Sequence, residues 1–576
     1  MTSSSTGTRR TRRIAAAVVL GAAVPGGLLT ASAASASSGA AVAVPLTPCT
    51  VSALKSAIHA ANASGATITL PTGCRITLAA QDNATNGPTG LPVVTGKVTI
   101  NGNGATIARQ ASTASTPVPA FRLFNVAAGG SLTLTGLALG NGFANDGING
   151  GGAIFSLGTL HISGVFLSGN RSPAATGTSG GAISSNSSSA TLTVDRSTFA
   201  GNVAQEGGGI FTQSATSVTN STFTGNTATL FGGGGLVSAV GTTKVSGDTF
   251  SRNSGPGGGA IDNDATVNIT NSTFEGNTGG ANGGGALQNF GVMTVTHSTV
   301  ANNTSQFGAN LHNDPVAPAA VTGPVFNPAL RGRSLAALAA ASTFTVTASI
   351  VSGGITGTNC SGSAAFTDGG FNIDSATSCG FLTANHSQNN TNPNLGPLAA
   401  NGGPTTTMAL PSGSPALNAI PSVTGGCAVT ADQRGIPRPQ ATGCDIGAYE
   451  RLASGAITGF KGKCVDNRGN STVNGNRIQI FTCNRTAAQI WTYTFNGQLQ
   501  THGKCLDDTA PGGKMQLLSC TGRTNQQWTW LANGEFVNRS NGLCLDDPGF
   551  STTNGTQLQV HQCNNGANQH WTVPAG

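Results

Sequence analysis

The sequence predicts an all-β protein in which a right-handed parallel β-helix is followed by a smaller β domain with internal threefold symmetry. Two internal repeats lead to this prediction. Between Gly150 and Asp314, glycine-rich segments alternate at regular spacing with Ser-Thr-Phe-x-Gly-Asn-like segments, which is typical of stacked coils. Near the C-terminus, three units of about 40 residues each contain Cys-x-Asp, a second Cys and Gln-x-Trp. Stretches that favour helices are nearly absent.

Residues 1–36 have the composition of a secretory signal peptide. Two arginine pairs precede the apolar run from Ile14 to Leu29, and small residues follow. This order predicts cleavage near Ala33 or Ala36 and a secreted, extracellular protein, with attachment to the cell surface left open. The arginine pairs resemble a twin-arginine signal, and ordinary Sec export fits equally well. No later run is long and apolar enough to span a bilayer, so no integral membrane segment is expected after signal removal.

The charge of the chain argues against nucleic acid as a partner. The chain has 27 Lys and Arg against 20 Asp and Glu, which gives a net charge of +7. Without the four signal arginines the balance is 23 against 20, or +3. Because so small an excess lacks the basic footprint of nucleic-acid binding, the ligands are expected to be neutral.

The twelve cysteines predict six disulfides. An even count in an exported chain favours disulfides, and the Cys-x-x-Cys clusters or interleaved histidines of a zinc site are missing from the sequence. No metal site is therefore expected. The sequence-local pairs are Cys49 with Cys74, Cys360 with Cys379, Cys427 with Cys444, Cys464 with Cys483, Cys505 with Cys520, and Cys544 with Cys563. Each of the last three pairs would close a short loop and contribute about 3 kcal/mol to the stability of the C-terminal domain.

The glycine and phenylalanine segments predict the coils of the β-helix. Short alternating runs rich in β-branched residues predict strands, glycine permits sharp corners, and phenylalanine fills the interior. The pattern resembles the pectin-lyase-like superfamily, with repeats similar to those of polymorphic outer-membrane proteins. This resemblance implies a right-handed parallel β-helix, placed at 46–450. Its interior column has phenylalanines 24, 27 and 24 residues apart and comprises Leu167, Phe199, Phe223, Phe250, Phe274 and Val300.

The β-helix needs caps, because a solenoid leaves open strand edges at its ends. At the start, Ser52 is expected to cap a short helix whose Leu54 and Ile58 share one face. Prolines interrupt the repeat over 315–342, which predicts a long surface excursion with a short helix. The last part of the β-helix, about 345–450, resembles the choice-of-anchor Q region of bacterial β-helix proteins. The motifs that carry this resemblance include Asn401-Gly402-Gly403-Pro404, Asp432-Gln433-Arg434-Gly435 and Cys444-Asp445-Ile446-Gly447.

Aligned glycine segments predict which polar residues share a face of the β-helix. Alternate strand residues point in opposite directions, so Asn263, Asn289 and Asn313 are expected to form an internal amide ladder. The exposed columns are then Asp262, Gln288, His312 and Asp264, Phe290, Asp314. Adjacent coils lie ~4.8 Å apart, which would separate Asp264 from Asp314 by ~10 Å.

These columns raise the question of catalysis on the β-helix. The candidate catalytic residues are Asp262, Asp264, His312 and Asp314. A carboxylate separation near the upper end of the inverting-hydrolase range fits a water between two carboxylates. The alternative is a solvated polar face. The sequence departs from the superfamily's known enzymes, because it contains neither an Arg-x-Lys motif with paired aspartates nor a lyase-like calcium-and-arginine set. Calcium would be expected only if the β-helix is a lyase, and otherwise no cofactor is predicted.

The three C-terminal units carry the most specific motif. They run from Cys464-Val465-Asp466 to Gln489-Ile490-Trp491, from Cys505-Leu506-Asp507 to Gln526-Gln527-Trp528, and from Cys544-Leu545-Asp546 to Gln569-His570-Trp571. The pattern resembles the ricin B-type lectins, which implies a sugar-binding β-trefoil at 457–574. A neutral sugar needs a carboxylate, an amide and an aromatic plate for its hydroxyls and its apolar ring face.

The resemblance implies three candidate carbohydrate pockets of unequal completeness. The third repeat ranks first, with Asp546, Gln559, His561, Asn568 and Gln569. The first repeat ranks second, with Asp466, Gln479, Phe481 and Gln489, because Ala488 replaces the amide. The second repeat ranks last, with Asp507, Gln516, Asn525 and Gln526, because its loop is shorter and Leu518 replaces the aromatic plate. The tryptophans of Gln-x-Trp are expected in the core, and the glutamines are expected either to contact sugar or to support the fold.

The sequence thus predicts a secreted protein that binds polysaccharide or glycan through its C-terminal trefoil. One alternative is a polysaccharide-degrading enzyme, either a lyase or a glycoside hydrolase, with its active site on the β-helix and the trefoil as targeting module. A second alternative is a surface adhesin whose β-helix holds the lectin away from the cell.

Overall fold

The computed structural model describes residues 43–572, except for 148, 174–178, 281–282, 316–341, 422–426, 441–442, 453, 495–496 and 532. The predicted signal peptide and nearly all of the predicted excursion at 315–342 lie outside these described residues. Among the residues that are described, no helix has both the length and the apolar character needed to cross a membrane.

The N-terminal cap of the β-helix is one α-helix, Val51–Ser64. Leu54 and Ile58 are fully buried on one face, as predicted. The prediction that Ser52 caps this helix is wrong, because the Thr50 hydroxyl accepts the hydrogen bond from the Ala53 backbone N–H (3.3 Å). Thr50 has the extended backbone of an N-cap residue, whereas Ser52 already lies inside the first turn.

All strands of the three large sheets in the β-helix pair in parallel, which confirms a parallel β-helix. The largest sheet has 21 strands. In its middle coils a five-residue strand is followed by a three-residue strand that carries the phenylalanine. The 21 strands are Ala43–Pro45, Thr67–Thr69, Arg75–Leu78, Lys97–Arg109, Ser131–Gly140, Thr159–Ser163, Phe166–Ser168, Thr191–Asp195, Thr198–Ala200, Ala215–Thr219, Thr222–Thr224, Thr242–Ser246, Thr249–Ser251, Thr266–Thr270, Thr273–Glu275, Val292–Thr296, Thr299–Ala301, Thr343–Thr347, Ile350–Ser352, Phe366–Asp368 and Ile373–Asp374.

The other two parallel sheets complete the coils. One has nine strands that follow the glycine-rich segments, and the other has five two-residue strands. The glycines make the corner between them: Gly180 has φ +78°, and a Cβ there would lie 2.1 Å from the Ile183 carbonyl oxygen. The nine strands are Phe124–Val126, Ile154–Ser156, Ile183–Ser185, Ile210–Thr212, Leu236–Ser238, Ile261–Asn263, Leu287–Asn289, Gly308–Asn313 and Thr358–Ser361, and the five are Arg171–Ser172, Val203–Ala204, Thr227–Ala228, Ser254–Gly255 and Thr278–Gly279.

The predicted phenylalanine column fills the interior. The rings of Phe199 and Phe223 stack at 4.5 Å, those of Phe223 and Phe250 at 4.4 Å, and those of Phe250 and Phe274 at 5.1 Å. Leu167 and Val300 continue the column in register at its two ends, as the sequence predicts. Because all four rings are fully buried, the column is a continuous apolar core along the stacked coils.

Two ladders of buried asparagines run along the coils. The predicted ladder is confirmed: Asn263 Nδ2 donates to Asn289 Oδ1 (2.8 Å), and Asn289 Nδ2 donates to Asn313 Oδ1 (2.9 Å). A second ladder, which the sequence analysis missed, is formed by the asparagine that ends each Phe-x-Gly-Asn-like segment. Its Nδ2-to-Oδ1 distances are 2.9 to 3.0 Å through Asn170, Asn202, Asn226, Asn253, Asn277 and Asn303.

The last part of the β-helix packs against the phenylalanine-carrying strands. Gln433 joins the two parts, because its Oε1 accepts from the Thr273 hydroxyl (2.6 Å) and its Nε2 donates to the Asp248 carbonyl (3.1 Å). Two buried ion pairs, Asp432 with Arg434 and Arg438 with Glu450, hold this segment in shape. Its short elements are the antiparallel pairs Leu398–Ala399 with Thr407–Met408 and Ile420–Pro421 with Gly443–Cys444, and the 3-10 turn Thr383–Asn385.

The C-terminal domain is a β-trefoil whose core centres on three tryptophans. Trp491, Trp528 and Trp571 are buried, and each indole N–H donates to a backbone carbonyl, which confirms their predicted core role. The strands are Ser454–Gly455, Lys463–Asn467, Asn476–Thr482, Trp491–Tyr493, Leu499–Thr501, Lys504–Ala510, Lys514–Ser519, Trp528–Trp530, Phe536–Asn538, Cys544–Asp546 and Gln559–His561. The 3-10 turns are Phe460–Gly462, Arg468–Asn470, Ala487–Gln489, Pro511–Gly513, Thr524–Gln526, Pro548–Phe550 and Ala567–Gln569.

All six disulfides expected from the sequence are present. Three lie in the β-helix, where they join Cys49 to Cys74, Cys360 to Cys379 and Cys427 to Cys444. The other three lie at the same place in each trefoil repeat and join Cys464 to Cys483, Cys505 to Cys520 and Cys544 to Cys563.

Candidate carbohydrate-binding site

Each trefoil repeat builds its candidate pocket in the same way. The strand that carries Cys-x-Asp pairs antiparallel with the strand that carries the first glutamine of the set. Asp466 is opposite Gln479, Asp507 is opposite Gln516, and Asp546 is opposite Gln559. A disulfide ties the two strands near these pairs. Because directly opposite residues share one face of a sheet, every aspartate lies beside its glutamine.

In the third repeat, three amides from the protein fix Asp546. Gln559 Nε2 donates to Oδ1 (2.9 Å), and Asn568 Nδ2 (2.7 Å) and Gln569 Nε2 (3.0 Å) both donate to Oδ2. A carboxylate has about four acceptor positions. Asp546 therefore keeps capacity for a hydroxyl of a ligand.

The glutamine of Gln-x-Trp supports the fold in every repeat, which is one of the two roles that the sequence leaves open. Gln569 is fully buried, its Oε1 accepts from the Asn564 backbone N–H, and its Nε2 donates to the Gln562 carbonyl as well as to Asp546. Gln489 and Gln526 make the equivalent bonds. Because these amides are occupied within the protein, their contribution to a pocket is to position the aspartate.

In the first repeat, fewer donors reach the aspartate. Asp466 accepts from Gln479 Nε2 (2.9 Å) and Gln489 Nε2 (3.1 Å). The buried Ala488 occupies the place that Asn568 has in the third repeat. The half-buried Phe481 lies at the position of the aromatic plate. This pocket retains a carboxylate and an aromatic ring but lacks the side-chain amide at 488.

In the second repeat, hydrogen-bond donors of the protein take up the acceptor positions of the aspartate. Asp507 accepts from three amides, Gln516 (3.2 Å), Asn525 (2.6 Å) and Gln526 (3.0 Å). It also accepts from the backbone N–H (2.9 Å) and the hydroxyl of Thr509. Five donors saturate a carboxylate, and Thr509 is a competitor that the sequence analysis did not identify. This observation supports the low rank given to the second repeat.

An exposed aromatic residue beside the third pocket was also missed. Phe550, in the turn Pro548–Phe550, is 51% exposed, and an added methyl on Gly566 would lie 3.6 Å from its Cζ atom. The ring therefore lies close to the turn that leads into Asn568. The predicted plate of this pocket, His561, is also exposed. The sequence contains one sign of this residue, because Phe550 is an aromatic residue in an otherwise polar turn, at the position where the first repeat has Asn470.

The electrostatics of the third pocket depend on two neighbouring carboxyls. Burial, with the charge of Asp546 added, raises the pKa of Asp547 to about 6, and the backbone N–H of Ser551 offsets only part of this rise. The backbone N–H of Asp547 donates to the Asn568 carbonyl (3.0 Å), which links this carboxyl to the amide of the pocket. Mild acid therefore removes one negative charge next to Asp546.

Of the two columns predicted to be exposed, Asp262, Gln288, His312 and Asp264 are buried, and Phe290 and Asp314 are half-buried. The described coils therefore do not present these columns as one open groove. Asp262 is 6% and His312 7% exposed, and Gln288 accepts from the Gly284 backbone N–H (2.9 Å). Glycine-rich turns cover this face, since a Cβ on Gly257 would lie 2.7 Å from Asp262 Oδ2. Burial, with the charges of Asp264 and Glu206, raises the pKa of Asp262 well above its usual value.

Residues 453–571 match the family model of the ricin-type beta-trefoil lectin domain. The chain is similar to Ribosome-inactivating protein SNAIf of Sambucus nigra, with 29% identity over 22% of this chain and 23% of that protein. It is also similar to Serine protease 1 of Rarobacter faecitabidus, with 40% identity over 20% of this chain and 22% of that protein. The chain thus spans less than a quarter of the length of these curated relatives.

Among solved structures, the agglutinin from Abrus precatorius aligns with 27% identity over 23% of this chain and 51% of that chain, with a TM-score of 0.21. The family match covers all three repeats, including the three aspartates and the three tryptophans. Residues 453–571 are therefore a ricin-type β-trefoil lectin domain.

Proposed function

We propose that this protein is a secreted carbohydrate-binding protein that attaches to polysaccharide or glycan through its trefoil. The observation that carries the proposal is the third pocket, where Asp546 is fixed by Gln559, Asn568 and Gln569 and retains acceptor capacity. The predicted signal peptide at 1–36 and the six disulfides support export. The proposed domains are a β-helix at 46–450 and the lectin at 457–574.

The chemistry of the third pocket matches a neutral sugar. A sugar hydroxyl donates to the Asp546 carboxylate, which the three amides hold in one orientation before binding. The exposed rings of Phe550 and His561 offer surfaces for the apolar face of the sugar. Asp546 and the neighbouring Asp547 give the pocket an acidic character, and none of the three residues that fix Asp546 is basic, so a neutral saccharide is favoured over an acidic one.

The three repeats are proposed to differ in strength. The third binds most tightly, the first binds more weakly because Ala488 removes an amide, and the second is closed because Thr509 occupies Asp507. A single strong pocket gives modest affinity for one sugar, and the first pocket adds avidity on a polymer.

A glycan array with the full chain tests this function. Wild-type protein is expected to bind a subset of glycans, and Asp546→Ala is expected to lose at least about tenfold in affinity, because one charge-assisted hydrogen bond contributes about 1.5 to 3 kcal/mol. Asp82→Ala, which removes a carboxylate on the β-helix, serves as the matched control and should bind like wild type. An array on which correctly folded wild-type protein binds nothing would refute the function.

A further inference from the structure

Three polar side chains at one end of the β-helix form a continuous hydrogen-bonded chain. His312 is the second-to-last residue of the strand Gly308–Asn313, and Asp314 directly follows that strand. Ser361 ends the neighbouring strand Thr358–Ser361. His312 and Ser361 are paired in register across the parallel ladder. The Ser361 Oγ lies 2.6 Å from His312 Nδ1, and His312 Nε2 lies 2.7 Å from Asp314 Oδ2.

The acid of this chain is held ionised and in one orientation. Asp314 Oδ1 accepts from the backbone N–H (2.7 Å) and the hydroxyl (2.8 Å) of Ser363. Burial acts to raise the pKa of Asp314, but the hydrogen bonds from Ser363 and His312 outweigh it and keep the pKa below its usual value. In the tautomer with its proton on Nε2, the His312 imidazole donates to Asp314, which leaves the lone pair on Nδ1 directed at Ser361.

This arrangement is that of a nucleophile, a base and an orienting acid. In the familiar Ser-His-Asp order the serine meets Nε2 and the aspartate meets Nδ1. Here the two ring nitrogens exchange partners, and either nitrogen of a neutral imidazole can accept the serine proton when the other is bonded to a carboxylate. The roles follow from geometry, not from the order in the chain.

Access distinguishes Ser361 from the same position in earlier coils. Two coils earlier, Gln288 is buried and accepts from the Gly284 backbone N–H of its own turn. Ser361 is only half-buried, and it is followed by two exposed residues. Gly308 leaves space next to the hydroxyl, since a Cβ there would lie 2.8 Å from the Ser361 Oγ. Ser361 is thus more accessible than His312, whose side chain is only 8% exposed.

We propose that Ser361, His312 and Asp314 form a serine-nucleophile site that hydrolyses carboxylic esters. Ser361 and His312 are the catalytic residues, and Asp314 is a positioning residue. The proposal goes beyond carbohydrate binding and does not depend on it, because the two sites share no residue.

The reaction balances with water as the only co-reactant. The Ser361 oxygen forms a bond to the ester carbonyl carbon while its proton passes to His312 Nδ1. The carbon–oxygen bond to the alcohol then breaks, and the alcohol leaves with the proton from Nδ1. Water attacks the acyl-serine along the same route, with His312 again taking and returning the proton, and releases the carboxylic acid.

A fluorophosphonate probe on the full-length protein tests the proposal. The serine oxygen displaces fluoride from phosphorus, so mass spectrometry of a digest should place the adduct on Ser361. Ser361→Ala should abolish this adduct and lower p-nitrophenyl acetate hydrolysis at least about tenfold. Ser189→Ala, which removes an exposed serine in a turn, is the matched control and should keep both.

Two further variants separate catalysis from folding. Asp314→Asn should slow phosphonylation at least about tenfold while circular dichroism and the thermal midpoint stay unchanged, which a merely structural hydrogen bond would not produce. Ser361→Cys should be alkylated by iodoacetamide faster than Ser189→Cys. An unlabelled Ser361 in folded wild-type protein, or hydrolysis unaffected by Ser361→Ala, would overturn the proposal.

Discussion

Replacing Asn226 by alanine is expected to destabilise the β-helix by about 2 to 6 kcal/mol. The fully buried Asn226 side chain donates to Asn253 Oδ1 and to the Phe199 carbonyl, both at 2.9 Å. It accepts from the backbone N–H (3.1 Å) and from Nδ2 (2.9 Å) of Asn202. Alanine leaves these two Asn202 donors without their acceptor, and a buried polar group left unsatisfied costs about 1 to 3 kcal/mol.

Denaturant unfolding measures this loss, and the chain contains an internal reference. All four tryptophans lie at or after residue 491, in the trefoil. Circular dichroism therefore follows mainly the larger β-helix, while tryptophan fluorescence follows the trefoil. In Asn226→Ala the unfolding transition seen by circular dichroism should shift, and the transition seen by tryptophan fluorescence should not. Asn186→Ala, at a half-buried position directly after the strand Ile183–Ser185, should change stability by at most about 0.5 kcal/mol. Equal shifts for Asn226→Ala and Asn186→Ala would refute the role of the ladder.

Three more predictions follow from the packing and the charges. Phe223→Ala, which interrupts the ring stack, should cost about 3 to 5 kcal/mol in the same unfolding experiment, and a loss below about 1 kcal/mol would contradict a packed interior column. The pKa of Asp547 is about 6 in the folded protein and exceeds the usual 3.8, so the folded state holds a proton on Asp547 between about pH 4 and 6. Wild-type stability should therefore fall as pH rises through this window, and Asp547→Asn should remove that fall. Parallel stability profiles of wild type and Asp547→Asn from pH 4 to 8 would contradict this prediction. Replacing Cys544 and Cys563 together by serine should lower trefoil stability by about 3 kcal/mol, read from the tryptophan transition, and an unchanged midpoint would refute a role for this loop closure.

Much of the β-helix was predictable because residues of the same type recur at the same position in successive coils. The phenylalanine column and the ladder of Asn263, Asn289 and Asn313 follow from period and strand alternation alone. The ladder through Asn226 was not predicted, because a Gly-Asn pair is typical of turns. Whether the side chain of such an asparagine points into the β-helix depends on the backbone at the corner of the coil. The alternation of side chains along a strand does not describe that corner.

Burial on the outer face was the main error of the sequence analysis. Strand alternation correctly places Asp262 and His312 in one column, but it carries no information on turns that fold back over the sheet. The Gly257 backbone lies against the Asp262 side chain, and this contact is visible only in three dimensions. The contact between His312 and Ser361 was missed for a related reason, since 49 residues separate them and the regular period is interrupted between them.

The trefoil motifs predicted the aspartates but not what competes for them. Thr509 lies only two residues after Asp507, yet its two hydrogen bonds depend on the local turn, and the first and third repeats have different residues there. Phe550 was not predicted either, because the motif gives no position for an aromatic residue in that turn. Motif spacing thus located the pockets, and local turn geometry decides which of them remain open.

Calorimetric titrations of aspartate variants in the three repeats, with the glycan that binds best on an array, test most directly whether the three pockets differ. Asp546→Ala should lose at least about tenfold in affinity, Asp466→Ala should lose less, and Asp507→Ala should bind like wild type because Thr509 already occupies that carboxylate. An Asp507→Ala loss equal to that of Asp546→Ala would contradict the proposed difference between the second and third pockets.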